Sequence, residues 1–195
     1  MTTTIEKQPI PAERLIARSP ISFAKADARL RSSIQKSPNA SPSRFQDQKA
    51  KYQLGEKEAY EAWVRSRVGP HGFMYFNEFN HGRWLPLFEP PTATFIDMNG
   101  EKKALRATRF ILGNPLIAIT MLRHDLDAGL CVPVELYLVE EVKGGVRIVW
   151  YKPSSLIAGY EGAKQDLVDA AEVLSAKLEV LVNWVLREEE TEERL

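Results

Sequence analysis

His81 is the residue of this sequence best suited to moving a proton or holding a polar ligand, because histidine ordinarily titrates near neutral pH. It follows the polar Asn80 and precedes Gly82, so it belongs to the end of an element and not to an apolar face. A histidine there can also simply cap a loop by hydrogen bonding. The second candidate is the corner Gly113-Asn114-Pro115, set between Arg109-Phe110-Ile111-Leu112 and Leu116-Ile117-Ala118-Ile119-Thr120-Met121-Leu122. Glycine there accommodates positive φ, asparagine reaches its own backbone, and proline fixes φ and withholds a donor. A corner held between two apolar elements can present a carboxamide to a small ligand. The working expectation is that His81 and Asn114 face one pocket, with His81 as the catalytic acid or base. Gly113, Asn114, Pro115 and Arg109 are then the further ligand contacts.

Arg109 and Lys152 stand at expected strand ends, where each can pair with a carboxylate or phosphate or merely meet solvent. Glu78 and His81 have the spacing of a metal pair only on a helix, and here they fall on a strand and its exit. His71 and His124 belong to separate segments, so no metal site and no cofactor are expected. The single cysteine, Cys131, is expected to be a buried structural thiol in a reducing compartment. Neither a phosphate-cradling glycine loop nor a Gly-x-Ser-x-Gly nucleophile elbow occurs.

The elements that must carry these residues are read from periodicity. Leu15-Ile16-Ala17 forms a short strand. Ser22 caps a helix whose apolar positions are Phe23, Ala26, Leu30 and Ile34. Residues 35–52, with Ser37-Pro38 and Ser41-Pro42, are too polar to pack and read as a mobile insertion. A second helix runs from about Glu56 to Val68, and the aromatic Phe73 to Phe79 is a strand. Arg83 to Phe88 is ambiguous, and Glu89 to Lys103 is a loop or weak hairpin. Val134–Val139 and Val146–Tyr151, joined through Gly144-Gly145, form an antiparallel hairpin with Val134, Leu136, Leu138, Val146, Ile148 and Trp150 inward. Leu167, Ala171, Leu174, Leu178, Leu181 and Val185 mark a long C-terminal helix.

This order predicts an α+β fold: two layers, a mainly antiparallel sheet with helices packed on one face, and the long helix last. Its other face is left to water, a ligand or a second subunit. Residues 1–14 are expected to be a disordered tail, 15–187 a single α+β domain, and 188–195 an acidic end. With 195 residues and 44% hydrophobic content, the chain can bury roughly 70% of its unfolded surface. Lys plus Arg equals Asp plus Glu at 26 each, which lacks the basic excess of a nucleic-acid binder. Near-zero charge fits a chain that hides surface in a homodimer. No run long enough to span a membrane occurs and the N-terminus is no secretory signal, so a cytoplasmic protein is expected.

Five short stretches together resemble the domain-of-unknown-function 302 family: Arg18-Ser19-Pro20-Ile21-Ser22-Phe23, Phe79-Asn80-His81, Leu112-Gly113-Asn114-Pro115, Val132-Pro133-Val134 and Tyr151-Lys152-Pro153. The likeness covers roughly residues 15–186, with the Ser-Pro segment as an insertion. It implies a small α+β domain, often dimeric, and carries His81, Gly113, Asn114 and Pro115 as site candidates without an established reaction. Three functions follow as expectations. The first is small-molecule binding near His81 and Asn114. The second is a cofactor-independent isomerase, cyclase or lyase using His81, with Glu78 or Arg109 orienting the substrate. The third is a non-catalytic docking subunit.

Overall fold

The computed structural model describes residues 2–34 and 55–188. The proposed Ser-Pro insertion and nearly all of the acidic end therefore lie outside the described residues. Residues 2–13 carry no regular secondary structure and are exposed.

Among the described residues, seven strands and five α-helices follow in order: β1 (Arg14–Ser19), α1 (Phe23–Ser33), α2 (Lys57–Arg65), β2 (Met74–Asn80), β3 (Thr94–Ile96), β4 (Lys102–Ala104), β5 (Ala107–Gly113), α3 (Pro115–Leu122), β6 (Val134–Glu140), β7 (Val146–Tyr151), α4 (Pro153–Ile157) and α5 (Gln165–Leu186). Five strands form the main sheet in the order β1-β7-β6-β5-β2, and every neighbouring pair is antiparallel. β3 and β4 make a separate two-stranded ladder. The fold is thus the α+β class expected, with the long helix last.

Alternation along each strand sorts the two faces of the sheet. Val134, Leu136, Leu138, Val146, Ile148, Trp150, Phe110 and Leu112 point to one side and are buried under α1 and α5. From the helix layer, Ala26, Leu30, Leu167, Ala171, Leu174, Leu178, Leu181 and Val185 meet them. α1 starts where expected, with the Ser22 hydroxyl accepting from Lys25 N at 3.2 Å. α5 is pinned to α4 through Ser175, whose hydroxyl accepts from Ser154 N (2.9 Å) and donates to Ala171 O (3.0 Å).

The segments left open in the sequence resolve as follows. Residues 81–88 form two short 3-10 turns, His81–Arg83 and Leu85–Phe88. The weak hairpin of 89–103 is the β3–β4 ladder, whose turn is organised by the Asp97 carboxylate accepting from Asn99 N and Glu101 N, both at 2.9 Å. β2 carries a register shift between Tyr75 and Asn77, so its side chains change face midway. α4 and a 3-10 turn at Leu126–Cys131 were not legible in advance.

Candidate functional site

β2 and β5 run antiparallel, with Asn80 beside Thr108 and Met74 beside Gly113. His81 therefore leaves β2 at the start of β5, whereas Asn114 follows the end of β5, about 20 Å away along the strand. The sequence placed both residues in one pocket, and the structure does not bring them together. His81 and Arg109 line one cavity, of about 680 Å³. Gly113, Asn114 and Pro115 line another, of about 630 Å³. Pro133 and Val134 are common to both and form the wall between them.

At the Asn114 corner the polar groups are already in use. Asn114 is the N-cap of α3: its Oδ1 accepts from Leu116 N at 2.8 Å, and its Nδ2 donates to Gly72 O at 3.0 Å. Pro115 takes the first helical position, where a missing N–H costs nothing. Gly113 is not in the positive-φ region. Its requirement is space, since a Cβ there would lie 2.9 Å from Phe76 Cε2 and 3.2 Å from Pro133 Cβ. The three residues are explained by a strand-to-helix corner and its packing. Beyond them the cavity is bounded mainly by apolar side chains such as Leu116, Met121, Val132 and Leu174.

The His81 cavity is an open groove over the uncovered face of the sheet. Its floor is Arg109 from β5, Glu135 and Tyr137 from β6, and Val149 and Tyr151 from β7. The 3-10 turns fold back so that His81 stands edge-on between two rings, Trp84 and Tyr137, each with its centroid 5.7 Å away. This clamp fixes the imidazole by ring contact, and its nitrogens have no hydrogen-bond partner among the described residues. The Tyr137 hydroxyl is likewise without a partner among them. Burial pushes the Tyr137 phenol up from its usual range, against a smaller opposite pull from Arg147. Arg109 lies mid-strand, not at a strand end, and forms a two-pronged pair with Glu135, with Nε–Oε2 at 2.8 Å and Nη2 closing on Oε1. At the far edge Arg14 lines the groove with no acidic partner among the described residues.

Further expectations meet the geometry here. Cys131 is not buried in the core but half-buried at the groove wall, and burial raises its thiol pKa, which disfavours the thiolate. Glu78 cannot orient anything in the groove. It sits on the helix-covered side of β2, bonded to Arg31 Nη1 at 2.7 Å beside Phe110. Lys152 bridges Glu172 on α5 at 3.1 Å. Among the described residues, no group of three or more His, Cys, Asp or Glu side chains is gathered as a metal site would need. Sequence reasoning missed Tyr137 and Arg14. Tyr137 was visible as an outward position of an alternating strand, but only the fold-back of 81–88 gives it a partner.

A five-stranded antiparallel sheet, covered by helices on one side and grooved on the other, defines the class: a two-layer α+β domain. Residues 90–182 match the family described as "Domain of unknown function DUF302". Arg109, Asn114, Cys131, Glu135 and Tyr137 fall inside the match, while Arg14, His81 and Trp84 fall outside it. Among solved structures, the chain is similar to an uncharacterized conserved DUF302 protein from Bacillus stearothermophilus, with a TM-score of 0.54 and 16% identity. That likeness covers 89% of this chain and 98% of the other, and at this identity it shows the fold. No curated protein matches the chain.

Proposed function

We propose that the protein binds a small organic molecule in the groove over the open sheet face, with His81 and Tyr137 as its polar contacts. One observation carries this reading: the two rings pack against one another, yet their hydrogen-bonding atoms are unspent among the described residues. Buried or half-buried polar groups are normally satisfied within the fold, and those left open beside a cavity are the ones a ligand completes. Arg109 belongs to the same proposed site, held in place by Glu135. The site as first expected was centred on both His81 and Asn114; the revised reading keeps His81 and Arg109 and moves Gly113, Asn114 and Pro115 to a supporting role in the fold.

The test is a thermal-shift screen of a broad metabolite set against the full chain. Compounds that stabilise the protein are expected to lose their effect in His81→Gln and in Tyr137→Phe, and to keep it in Asn114→Ala. Hits that survive both groove substitutions and vanish in Asn114→Ala overturn the reading.

An acid–base role for His81 in a cofactor-independent isomerase, cyclase or lyase is supported by one feature, the phenol beside the imidazole. A homodimer is supported by the exposed apolar side chains Leu87, Phe88, Ile96 and Met98 within a single short stretch. Native mass spectrometry checks the oligomeric state directly: the reading predicts twice the chain mass, and a monomer contradicts it. No helix among the described residues is long and apolar enough to cross a membrane.

A further inference from the structure

The geometry points to a planar organic acid as the ligand of the groove, its carboxylate on Arg14 and a hydroxyl or carbonyl at its other end on His81 and Tyr137. The inference rests on the small-molecule reading above and deepens it by naming a class of compound.

The charge pattern comes first. Three permanent charges line the groove, Arg14, Arg109 and Glu135. Arg109 and Glu135 neutralise one another through two parallel bonds, which leaves Arg14 as the one unpaired charge there among the described residues. A guanidinium offers a planar fork of donors that matches a carboxylate edge to edge. A neutral ligand would leave that fork to water, whereas an acid completes it.

The second argument is spacing. Arg14 pairs with Tyr151, and Tyr137 pairs with Val149 two residues along the same strand β7. Two strand spacings across and two residues along put the backbones of Arg14 and Tyr137 about 12 Å apart. Side chains on one face of a sheet stand roughly perpendicular to it, so the two polar tips stay about as far apart as their backbones and a body two fused rings long bridges them. The third argument is shape. Trp84 and Tyr151 contribute aromatic rings to the lining, and Pro133, Pro153 and Leu156 contribute apolar side chains. Such walls favour a planar apolar body over a flexible polar one.

The test uses 6-hydroxy-2-naphthoate and its neutral counterpart 6-hydroxy-2-naphthamide, each titrated into the full chain by calorimetry. Binding site and fold are followed by the His81 ring signal in NMR, assigned by its disappearance in His81→Gln. The acid is expected to bind at least about tenfold tighter than the amide, as a charge-assisted pair requires. Arg14→Gln is expected to bring the acid down to the amide's level and leave the amide unchanged. Arg14 is exposed on an edge strand, so the variant keeps the fold. Equal binding of acid and amide, each shifting the His81 signal, overturns the acid class while the groove stands as a ligand site. Binding of the acid undiminished in Arg14→Gln overturns the assignment of the carboxylate to that residue. Binding of neither compound overturns the inference, and the metabolite screen then judges the broader reading by itself.

Discussion

The two cavities of this protein share a wall and a strand, yet they use their polar residues in opposite ways. At the end of β5, Asn114 spends both ends of its carboxamide on the backbone, one on Leu116 and one on Gly72. On the open face of the sheet, His81 and Tyr137 are held by rings and spend nothing on the fold among the described residues. A polar side chain beside a cavity is informative only after its partners have been counted. By that measure, the corner that dominates the sequence builds the structure, and the less conspicuous histidine belongs to the proposed site.

This contrast can be broken at several strengths. The sharpest break sets the helix-covered face of the sheet against the groove face. Phe110→Ala empties a fully buried position beneath α1, and urea unfolding should report a loss of about 3–5 kcal/mol. Tyr137→Phe, on the groove face of the neighbouring strand, should leave the midpoint nearly unchanged. Next, Asn114→Ala removes a helix cap and a long-range bond, with an expected cost of about 1–2 kcal/mol. Groove ligands should bind that variant as before once the stability change is allowed for.

A smaller effect is expected of His81→Gln, within about 1 kcal/mol, because only ring contacts are lost. Its effect on groove ligands should nevertheless be the larger one, reversing the order seen for Asn114→Ala. The smallest effect belongs to His71, which joins α1 to α5 outside either cavity. Its Nδ1 meets the Ser33 hydroxyl at 2.9 Å and its ring rests on Trp184, with centroids 4.8 Å apart. Burial, and to a lesser extent Arg187, hold its pKa below the ordinary 6.5. The neutral imidazole is thus favoured in the folded state, and the unfolded chain takes up its proton first as pH falls. The contribution is complete above pH 6.5 and declines as the pH drops below it toward the lower folded value. Thermal midpoints measured across this window should fall slightly on acidification, and His71→Gln should flatten that slope.

Much of the fold was legible because its signals are local. The inward sets of the β6–β7 hairpin, the Ser22 cap and the four- and three-residue recurrence of α5 each follow from spacing alone. The site was legible only in part, since it depends on which ends of which strands meet. The antiparallel pairing of β2 with β5 already separates His81 from Asn114, and that pairing is a long-range fact that neither segment states by itself. The register shift between Tyr75 and Asn77 is a second such case. It turns Glu78 to the helix side, where Arg31 claims it, although simple counting from the aromatic strand leaves its face undecided. Gly113 was read as a residue needing unusual backbone angles, and it proved to be needed for closeness to Phe76 and Pro133. Chain folding onto the open face by residues 81–88 leaves no periodic trace, because 3-10 turns this short have none.

The central contrast is tested most directly by mapping amide signals of the full chain in NMR while an aromatic fragment mixture is titrated in. The account predicts shifts gathered on residues 81–85, 109 and 135–137, with 113–117 unmoved. Shifts gathered on 113–117, with the His81 surroundings silent, would contradict it.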